Sequence, residues 1–523
     1  MQTKAILLLL FGLALCACTD LELLPQDKAD PNAVLSQEEN YEIFLAKLYA
    51  GLAVSGQQGP SGASDIQSLD EGFGQYLRAL YYLQELPTDE AVIGWSDGGL
   101  PELVKQTWSS DNQFIRAMYY RVFYQVSITN EFLRETTPER LDARGIREGF
   151  RPTVEGFRAE ARFLRALSYW HAIDMFGDVI FYTEESDFGG GAPEEGTRAE
   201  IFAFLESELQ AIEGQLPEIG AAEYGRVDRG ALYMLLAKLY QNAQVYTGQD
   251  RNTDAIAVLE RVIDSDAYEL EEKYADLFKA DNDKSEEIIF PIAFDGDFTQ
   301  TYGGITFLVR ASVGGDVMQP EDYGISGGWG GLRTTPSFVG LFPDVTGDTD
   351  ARAIFFTDGQ TMAVTELDKF ENGYAVPKFT NVTSTGVAGK DVEFPDTDFP
   401  VFRLADAYLM YAESVVRGGG GSMARAVELV NELRERAYGG SGGNIGEAEL
   451  TLDFLLDERA RELYWETHRR TDLIRFGRFT TEGIWAWKGG PLEGTTTKAY
   501  LNLYPIPSSE TVSNPNLSQN EGY

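Results

Sequence analysis

Cysteine is almost missing from this sequence. Its 523 residues include only Cys16 and Cys18, both close to the amino terminus, so the rest of the chain can form neither a disulfide framework nor a thiolate metal site. Histidine is equally scarce, because only His171 and His468 are present. A Ser-His-Asp triad would have to use one of these two residues. No HExxH motif, Cys/His metal cluster or phosphate-binding loop accompanies them.

Neither histidine indicates catalysis. His171 lies in an apolar helical segment and is expected to be a core residue, and His468, beside two arginines, is expected to join a structural polar network. Paired carboxylates for glycoside hydrolysis stay open as an alternative, because 83 acidic residues offer many pairs without a distinctive spacing. Residues 344–350 weakly resemble a calcium loop, but they lack the glycine position and the closing glutamate of that motif.

Basic residues are also few in comparison with acidic residues. The chain has 43 basic and 83 acidic residues, and its net charge is -40. Nucleic acid is therefore excluded as an expected partner, because its binding depends on Lys and Arg meeting phosphate. Apolar residues make up 43% and aromatic residues 12% of the chain, which is typical of a globular protein.

The amino terminus has the organisation of an export signal. Lys4 precedes an apolar run at residues 5–17. This run is shorter than the roughly 20 residues that a transmembrane helix needs, and no later run approaches that length. We therefore predict a signal peptide at residues 1–17.

The end of this signal, Leu15-Cys16-Ala17-Cys18, resembles the lipobox of bacterial lipoproteins. The small Ala17 before Cys18 favours Cys18 as the lipidated residue, whereas the bulky Leu15 disfavours Cys16. Several acyl chains are needed for stable anchoring. We predict that residues 18–35 are a lipidated, extended tether. An ordinary signal peptide with two incidental cysteines is the alternative.

Helical periodicity begins near Gln37 and continues along the chain. Residues 111–136, 199–214 and 452–467 are expected to be helices. Residues 153–176 are apolar on nearly every side, which predicts a buried helix that ends at Gly177.

Two further stretches, 235–263 and 407–434, each have the pattern of a helix, a turn and a second helix. Such pairs predict tetratricopeptide-like packing. Between them, residues 285–400 are rich in glycine and aromatic residues in loops, with one strand expected at 287–294. The predicted fold is mostly α, with tetratricopeptide-like helix pairs, a loop-rich, partly irregular face and a few short strands.

A series of short motifs carries a family resemblance. They are Cys18-Thr-Asp-Leu-Glu-Leu-Leu-Pro, Leu86-Pro-Thr-Asp-Glu, Glu160-Ala-Arg-Phe-Leu-Arg-Ala-Leu-Ser-Tyr-Trp, Met175-Phe-Gly-Asp-Val, Arg403-Leu-Ala-Asp-Ala-Tyr-Leu-Met-Tyr-Ala-Glu, Asp457-Glu-Arg-Ala-Arg-Glu-Leu, Arg470-Thr-Asp-Leu-Ile-Arg-Phe-Gly, Tyr504-Pro-Ile-Pro-Ser-Ser-Glu and Asn514-Pro-Asn-Leu-Ser-Gln-Asn. In this order the chain resembles, from end to end, the SusD/RagB family of outer-membrane nutrient-binding lipoproteins.

The resemblance implies a SusD-like domain at residues 36–523, with an N-terminal part at about 36–240 and a C-terminal RagB/SusD part at about 241–523. It implies a lipid-anchored protein of the outer membrane, exposed at the cell surface. Its implied partner is a SusC-like TonB-dependent transporter, to which it delivers an oligosaccharide or sometimes a peptide without covalent chemistry. No cofactor and no catalytic residue is implied.

Two loops have the composition of a sugar-binding surface, in which aromatic planes meet the C–H faces of sugars and polar groups meet the hydroxyls. One loop holds Trp95 and Asp97, and the other holds Tyr323, Trp329 and Arg333. Glycines flank both tryptophans, which leaves the rings unscreened. The family commonly binds glycan near these regions. A tryptophan that folds back to pin its own loop is the alternative.

Weaker candidates for the same site come from the preceding segment: Asp70, Tyr76 and Arg78. Arg162 and Arg165 flank the apolar helix and are expected to pair with Asp174 and Asp178 for folding.

Four functions are compatible with these observations. The first is capture of oligosaccharides for an outer-membrane importer, and the second is capture of peptides by a member of the same family. A glycoside hydrolase lipoprotein would release reducing ends from a polysaccharide. A purely structural helical-repeat scaffold would bind no small ligand.

Overall fold

The structure is a computed structural model that describes residues 31–523, apart from Ser61, Ser68 and residues 188–190. The predicted signal peptide and Cys18 lie outside the described residues. The α-helices are α1 (Pro31–Val34), α2 (Glu39–Ala53), α3 (Tyr76–Gln84), α4 (Leu100–Val104), α5 (Gln113–Glu135), α6 (Pro138–Ala143), α7 (Arg151–Phe176), α8 (Arg198–Ile212), α9 (Arg229–Gln241), α10 (Ala243–Thr247), α11 (Asn252–Ile263), α12 (Gly304–Ala311), α13 (Pro336–Val339), α14 (Leu404–Val416), α15 (Met423–Tyr438), α16 (Leu452–Leu463), α17 (Arg469–Arg475) and α18 (Ser508–Ser513). The strands are β1 (Val92–Ile93), β2 (Val179–Ile180), β3 (Glu195–Gly196), β4 (Ile288–Ile292), β5 (Leu332–Arg333) and β6 (Phe399–Arg403).

Helices packed side by side form the body. Helix α5 packs on α7 and α7 on α8, while α9, α11, α14 and α15 form a second row. The two predicted repeats correspond to α9 with α11 and to α14 with α15. The mostly α fold with helix pairs is therefore confirmed. Within the described part of the chain, no helix is both long and apolar enough to span a bilayer.

Helix α7 is the buried helix that the apolar pattern predicts. It ends at Gly177, which has φ +76° and whose Cβ would lie 2.9 Å from the Leu503 side chain. Only glycine fits this position without strain. His171 is buried on α7, and its Nδ1 lies 2.8 Å from the Tyr76 hydroxyl. His171 is thus a core residue, as expected.

The strands form three two-stranded antiparallel sheets, β1–β5, β2–β3 and β4–β6. The predicted strand at 287–294 is β4, and it pairs with β6 immediately before α14. The tether prediction is wrong at its end, because Pro31–Val34 forms one helical turn instead of an extended segment.

The predicted pairing of Arg162 and Arg165 is also wrong. Arg162 Nη2 lies 2.6 Å from Glu208 Oε1, and Arg165 Nη2 lies 2.6 Å from Glu208 Oε2. Arg165 also pairs with Glu184. The acids come from α8 and from the loop after β2, because α8 packs along the same face of α7 as the two arginines.

Two carboxyl groups are buried together behind α3. Glu85 and Glu90 are 0% and 1% exposed, and their carboxyl groups share a hydrogen bond. Burial raises the pKa of Glu90 to about 8, although Arg469 opposes the shift. Burial, and then the neighbouring Glu90, also raise the pKa of Glu85. The folded protein therefore keeps a proton on this pair of carboxyl groups near neutral pH.

We expect the free energy of unfolding to fall as pH rises from about 5 to 8. In this window the unfolded Glu90, with an ordinary pKa of about 4.3, has lost the proton that the folded protein retains, so the folded state becomes less favourable by up to ~1.4 kcal/mol per pH unit. Urea unfolding across this range measures the slope. In Glu90→Gln the slope should be smaller, and an identical slope in both proteins would contradict the assignment.

Candidate functional site

Strands β1 and β5 bring the two predicted tryptophan loops together. Val92 pairs with Arg333 and Ile93 with Leu332, and the Gly94 amide then donates to the Gly331 carbonyl at 3.0 Å. Trp95 directly follows Gly94, and Trp329 lies two residues before Gly331. Their ring centroids lie 6.2 Å apart, and the ring planes are inclined by 54°.

Tyr302 extends this pair to a row of three rings. Its ring centroid lies 6.3 Å from that of Trp329, again with an interplanar angle of 54°. All three side chains are partly exposed. We call Trp95, Trp329 and Tyr302 the aromatic arc. Neighbouring aromatic planes of the arc are inclined to each other.

The backbone that carries Trp329 is held on the end of α12. The Trp329 amide donates to the Arg310 carbonyl at 2.7 Å, and the Gly331 amide donates to the Ala311 carbonyl at 2.8 Å. Gly331 also leaves room for Trp95, because a Cβ there would lie 2.5 Å from the indole ring. The glycines therefore serve the close approach of the two loops as well as the exposure of the rings.

Arg78 lies beneath the arc. Its guanidinium carbon is 5.5 Å from the centroid of Trp95 and 5.9 Å from that of Trp329, within cation–π range. Arg78 Nη1 donates to the Tyr302 carbonyl at 2.8 Å, and Nε donates to the Tyr82 hydroxyl at 2.7 Å. Arg78 therefore contacts both tryptophan rings and the backbone of Tyr302, and because it is only 3% exposed its prediction as a ligand contact is corrected to a supporting role beneath the arc.

Two exposed carboxylates lie near this guanidinium. Burial raises the pKa of Tyr82 to about 12; Arg78 opposes this rise, whereas Asp97 and Asp70 add to it. Both aspartates therefore lie within electrostatic range of the Arg78–Tyr82 pair. Both are exposed hydrogen-bond acceptors close to the Arg78–Tyr82 pair, and their role in sugar binding stays a prediction.

Arg333 supports the site from the interior. It is fully buried and donates to the backbone carbonyls of Gly331, Leu367, Lys369 and Asn372. Burial lowers its pKa to about 10. Its prediction as a ligand-contacting residue is corrected, because the guanidinium is 0% exposed and its donors hold the loops together.

Two other candidates lie outside the arc. Tyr76 is 1% exposed and its hydroxyl contacts His171, so it is a core residue and not a ligand contact. Tyr323 is partly exposed, and no ring contact within the described residues links it to the arc. Its backbone carbonyl instead accepts from the Asn381 amide at 3.0 Å.

Sequence reasoning missed Tyr302 and Arg310 as residues of the site. Tyr302 precedes Gly303 and Gly304, the same signal of an aromatic residue beside glycines that identified the two tryptophans. Arg310 has no such signal. Its guanidinium carbon lies 5.4 Å from the Trp329 centroid, and Nη1 lies 3.1 Å from Glu393.

The weak calcium-loop candidate at residues 344–350 lies in the described part of the chain. No group of three or more His, Cys, Asp or Glu side chains in that part of the chain is arranged to hold a metal ion. In the weak calcium-loop candidate, the Asp344 carboxylate accepts the amides of Thr346 and Gly347 at 2.9 and 3.0 Å. That aspartate closes its own turn.

Sequence comparisons match this chain to proteins of one family. A sequence profile of the SusD family matches residues 344–523. The chain is 36% identical to the starch-binding protein SusD of Bacteroides thetaiotaomicron, over 92% of this chain and 91% of that protein. It is 28% identical to the SusD-like protein P25 of Formosa agariphila, over 70% and 73% of the two chains.

Solved structures show the same fold. A SusD superfamily protein from Bacteroides vulgatus superposes with a TM-score of 0.71 at 20% identity, over 93% of this chain and 99% of that one. The surface glycan-binding protein A from Bacteroides thetaiotaomicron, solved in complex with laminarihexaose, gives a TM-score of 0.68 at 18% identity, over 92% and 99%.

Proposed function

The chain belongs to the SusD family, and from this premise we propose that it captures oligosaccharides on the aromatic arc of Trp95, Trp329 and Tyr302. The observation that carries the proposal is the arc itself: three partly exposed rings in a row, with centroids 6.2 and 6.3 Å apart. Pyranose rings present apolar C–H faces to such planes. Asp70 and Asp97 beside the arc can accept hydrogen bonds from the sugar hydroxyls.

The proposed ligand is a curved glucan of the starch type. Each ring of the arc is inclined by 54° to the next, so a chain whose sugars turn along its length can contact all three. A flat, ribbon-like glucan cannot lie flat against two neighbouring rings of the arc at once. The 36% identity to a starch-binding protein supports the same choice.

The cellular role follows from the family premise. We propose that Cys18 carries lipid, anchors the protein to the outer membrane at the cell surface, and places the arc above a SusC-like TonB-dependent transporter. The oligosaccharide then passes to that transporter without covalent change. The strongly acidic chain, with its net charge of -40, favours a neutral glycan over an anionic one.

Peptide capture is the second candidate within the family, because aromatic planes and carboxylates also suit peptides. The inclination of the arc favours the glycan. A peptide side chain would use single rings, whereas a turning row of planes matches a repeating polymer.

Titration of the chain that starts at Thr19 tests the proposal. Intrinsic tryptophan fluorescence and calorimetry would follow the addition of maltoheptaose, cellohexaose, laminarihexaose and oligopeptides. We expect binding of maltoheptaose without release of reducing ends. Binding of oligopeptides alone would replace the glycan proposal, and release of reducing ends would identify a glycoside hydrolase.

A further inference from the structure

The loop at residues 223–226 lines one sizeable cavity, and its Tyr224 also lines a second; no ring of the aromatic arc lines either cavity. One has a volume of about 340 Å³ and a mainly apolar lining, from α2 and from Pro291 to Ala293 of the β4 region. The other has a volume of about 610 Å³ and a more polar lining, which includes Asp283, Lys390 and Asp398. Volumes of roughly 300–1,000 Å³ are typical of ligand sites.

Tyr224 lines both cavities, and its ring is held in place. The phenol hydroxyl donates to Asp398 Oδ2 at 2.5 Å, and Asp398 Oδ1 accepts the Phe294 amide at 2.6 Å. Asp398 is 3% exposed, whereas Tyr224 is 47% exposed. An exposed aromatic plane with a fixed hydroxyl loses little conformational entropy when a ligand stacks on it.

A second exposed ring lies at the same place. Phe298 is 86% exposed and directly precedes Thr299, which lines both cavities. Tyr224 therefore lines the cavity pair, and Phe298 is a second exposed ring next to a residue that lines it.

The cavity pair lies close to one end of the arc. Tyr302 contacts Phe394 with ring centroids 5.6 Å apart, and Asp396, two residues further along the chain, lines the polar cavity. Two residues span at most about 7 Å. The polar cavity therefore lies close to the Tyr302 end of the arc, and Thr299, which lines both cavities, is three residues before Tyr302.

We propose that the cavity pair beside Tyr224 is an accessory subsite, which binds the distal sugars of a neutral oligosaccharide whose other end lies on the aromatic arc. The inference rests on the proposed function and extends it to selection by chain length. The Tyr224 ring receives a sugar face, and the polar cavity receives its hydroxyls.

The charges around the polar cavity define the chemical class of the ligand. Five aspartates line it, against only two lysines, Lys284 and Lys390. Most of these carboxylates already accept a hydrogen bond from a loop amide or hydroxyl. Each carboxylate, however, has about four acceptor positions. Hydroxyl donors of a neutral sugar can use the positions that are left, whereas uronates or sulfates would be repelled.

Calorimetry with maltotriose, maltoheptaose and a longer maltodextrin tests the proposal on the purified protein. We expect affinity per chain to rise roughly tenfold from the shortest to the longest ligand, ~1.4 kcal/mol. In Tyr224→Ala and in Phe298→Ala this gain should be lost, while maltotriose binding stays unchanged. Val512→Ala removes a side chain that is also 86% exposed but belongs to α18, and it should behave as the wild type.

Tyr224→Phe tests the ring separately from its hydroxyl, and it serves as a control for a folding defect. It keeps the stacking plane and loses only the bond to Asp398, so most of the length dependence should remain. Equal affinity for all chain lengths in the wild type would overturn this inference alone. Failure of every oligosaccharide to bind would overturn the proposed function and the inference together.

Discussion

Replacing Trp329 by alanine is expected to weaken binding of maltoheptaose by about 100-fold or more, a loss of ~2.7 kcal/mol. Trp329 is the middle ring of the arc, with Trp95 on one side at 6.2 Å and Tyr302 on the other at 6.3 Å. Its removal interrupts the row and also removes the plane against which Arg310 packs. Loss of an end ring, as in Trp95→Ala, should cost less.

Calorimetry of the two variants against the same ligand gives the measurement. Trp108→Phe is a suitable control, because Trp108 is 5% exposed and packs on Tyr504 away from the arc. Trp329→Phe keeps a smaller plane and should retain part of the affinity. Wild-type binding by Trp329→Ala, with an unchanged thermal midpoint, would show that the arc is not the site.

The helical body could be predicted because its signals are local. The apolar pattern at 153–176 and the glycine that follows are sufficient for α7, which spans Arg151–Phe176. Periodicity and caps act within one or two turns, so sequence spacing carries them. The same reasoning gave the helix pairs and β4.

Partners across the fold could not be predicted in this way. Arg165 was expected to pair within its own helix or just beyond it, but it reaches Glu208, 43 positions along the chain. Arg333 carries the charge and the position of a ligand contact, and only its burial reveals that it binds loop carbonyls. Burial depends on packing of distant segments and has no local sequence signal here.

The candidate site could be predicted only in part. The glycine-flanked loops of Trp95 and Trp329 were found from composition, because exposure of a ring needs small neighbours. Their contact depends on the two-residue pairing of β1 with β5, which is too short to be recognised in the sequence. Tyr302 was missed as a site residue although two glycines follow it, because its place beside Trp329 depends on segments distant in the sequence; its carbonyl, for example, accepts from Arg78, 224 positions away.

A buried network of charges holds the C-terminal part of the fold. Arg403 is 1% exposed, and its guanidinium lies 2.8 Å from Glu287, 2.7 Å from Glu462 and 2.7 Å from Glu466. Burial alone would raise the pKa of Glu462, but Arg436 and Arg403 reverse the effect and lower the pKa well below its usual range. The carboxylates therefore stay charged in the interior only while their arginines are present.

Arg403→Met should lower the free energy of unfolding by about 3–5 kcal/mol, because it leaves three buried carboxylates without one of their main partners. Urea unfolding followed by circular dichroism measures the loss. Arg403→Lys keeps the charge but cannot reach three carboxylates with one ammonium, so it should be intermediate. Arg478→Met removes a surface ion pair with Asp453 and should change stability by no more than about 0.5 kcal/mol.

The pH dependence separates a charge effect from lost packing in Arg403→Met. Glu462 stabilises the wild type above its unfolded pKa of about 4.3, and this contribution is lost as pH falls toward the lower folded value. Without Arg403 the neighbouring carboxylates can take up protons more readily, so the difference in stability between variant and wild type should shrink on acidification from neutral pH to about 4. A difference that stays constant over this range would mean that Arg403 acts through its packed side chain and not through its charge.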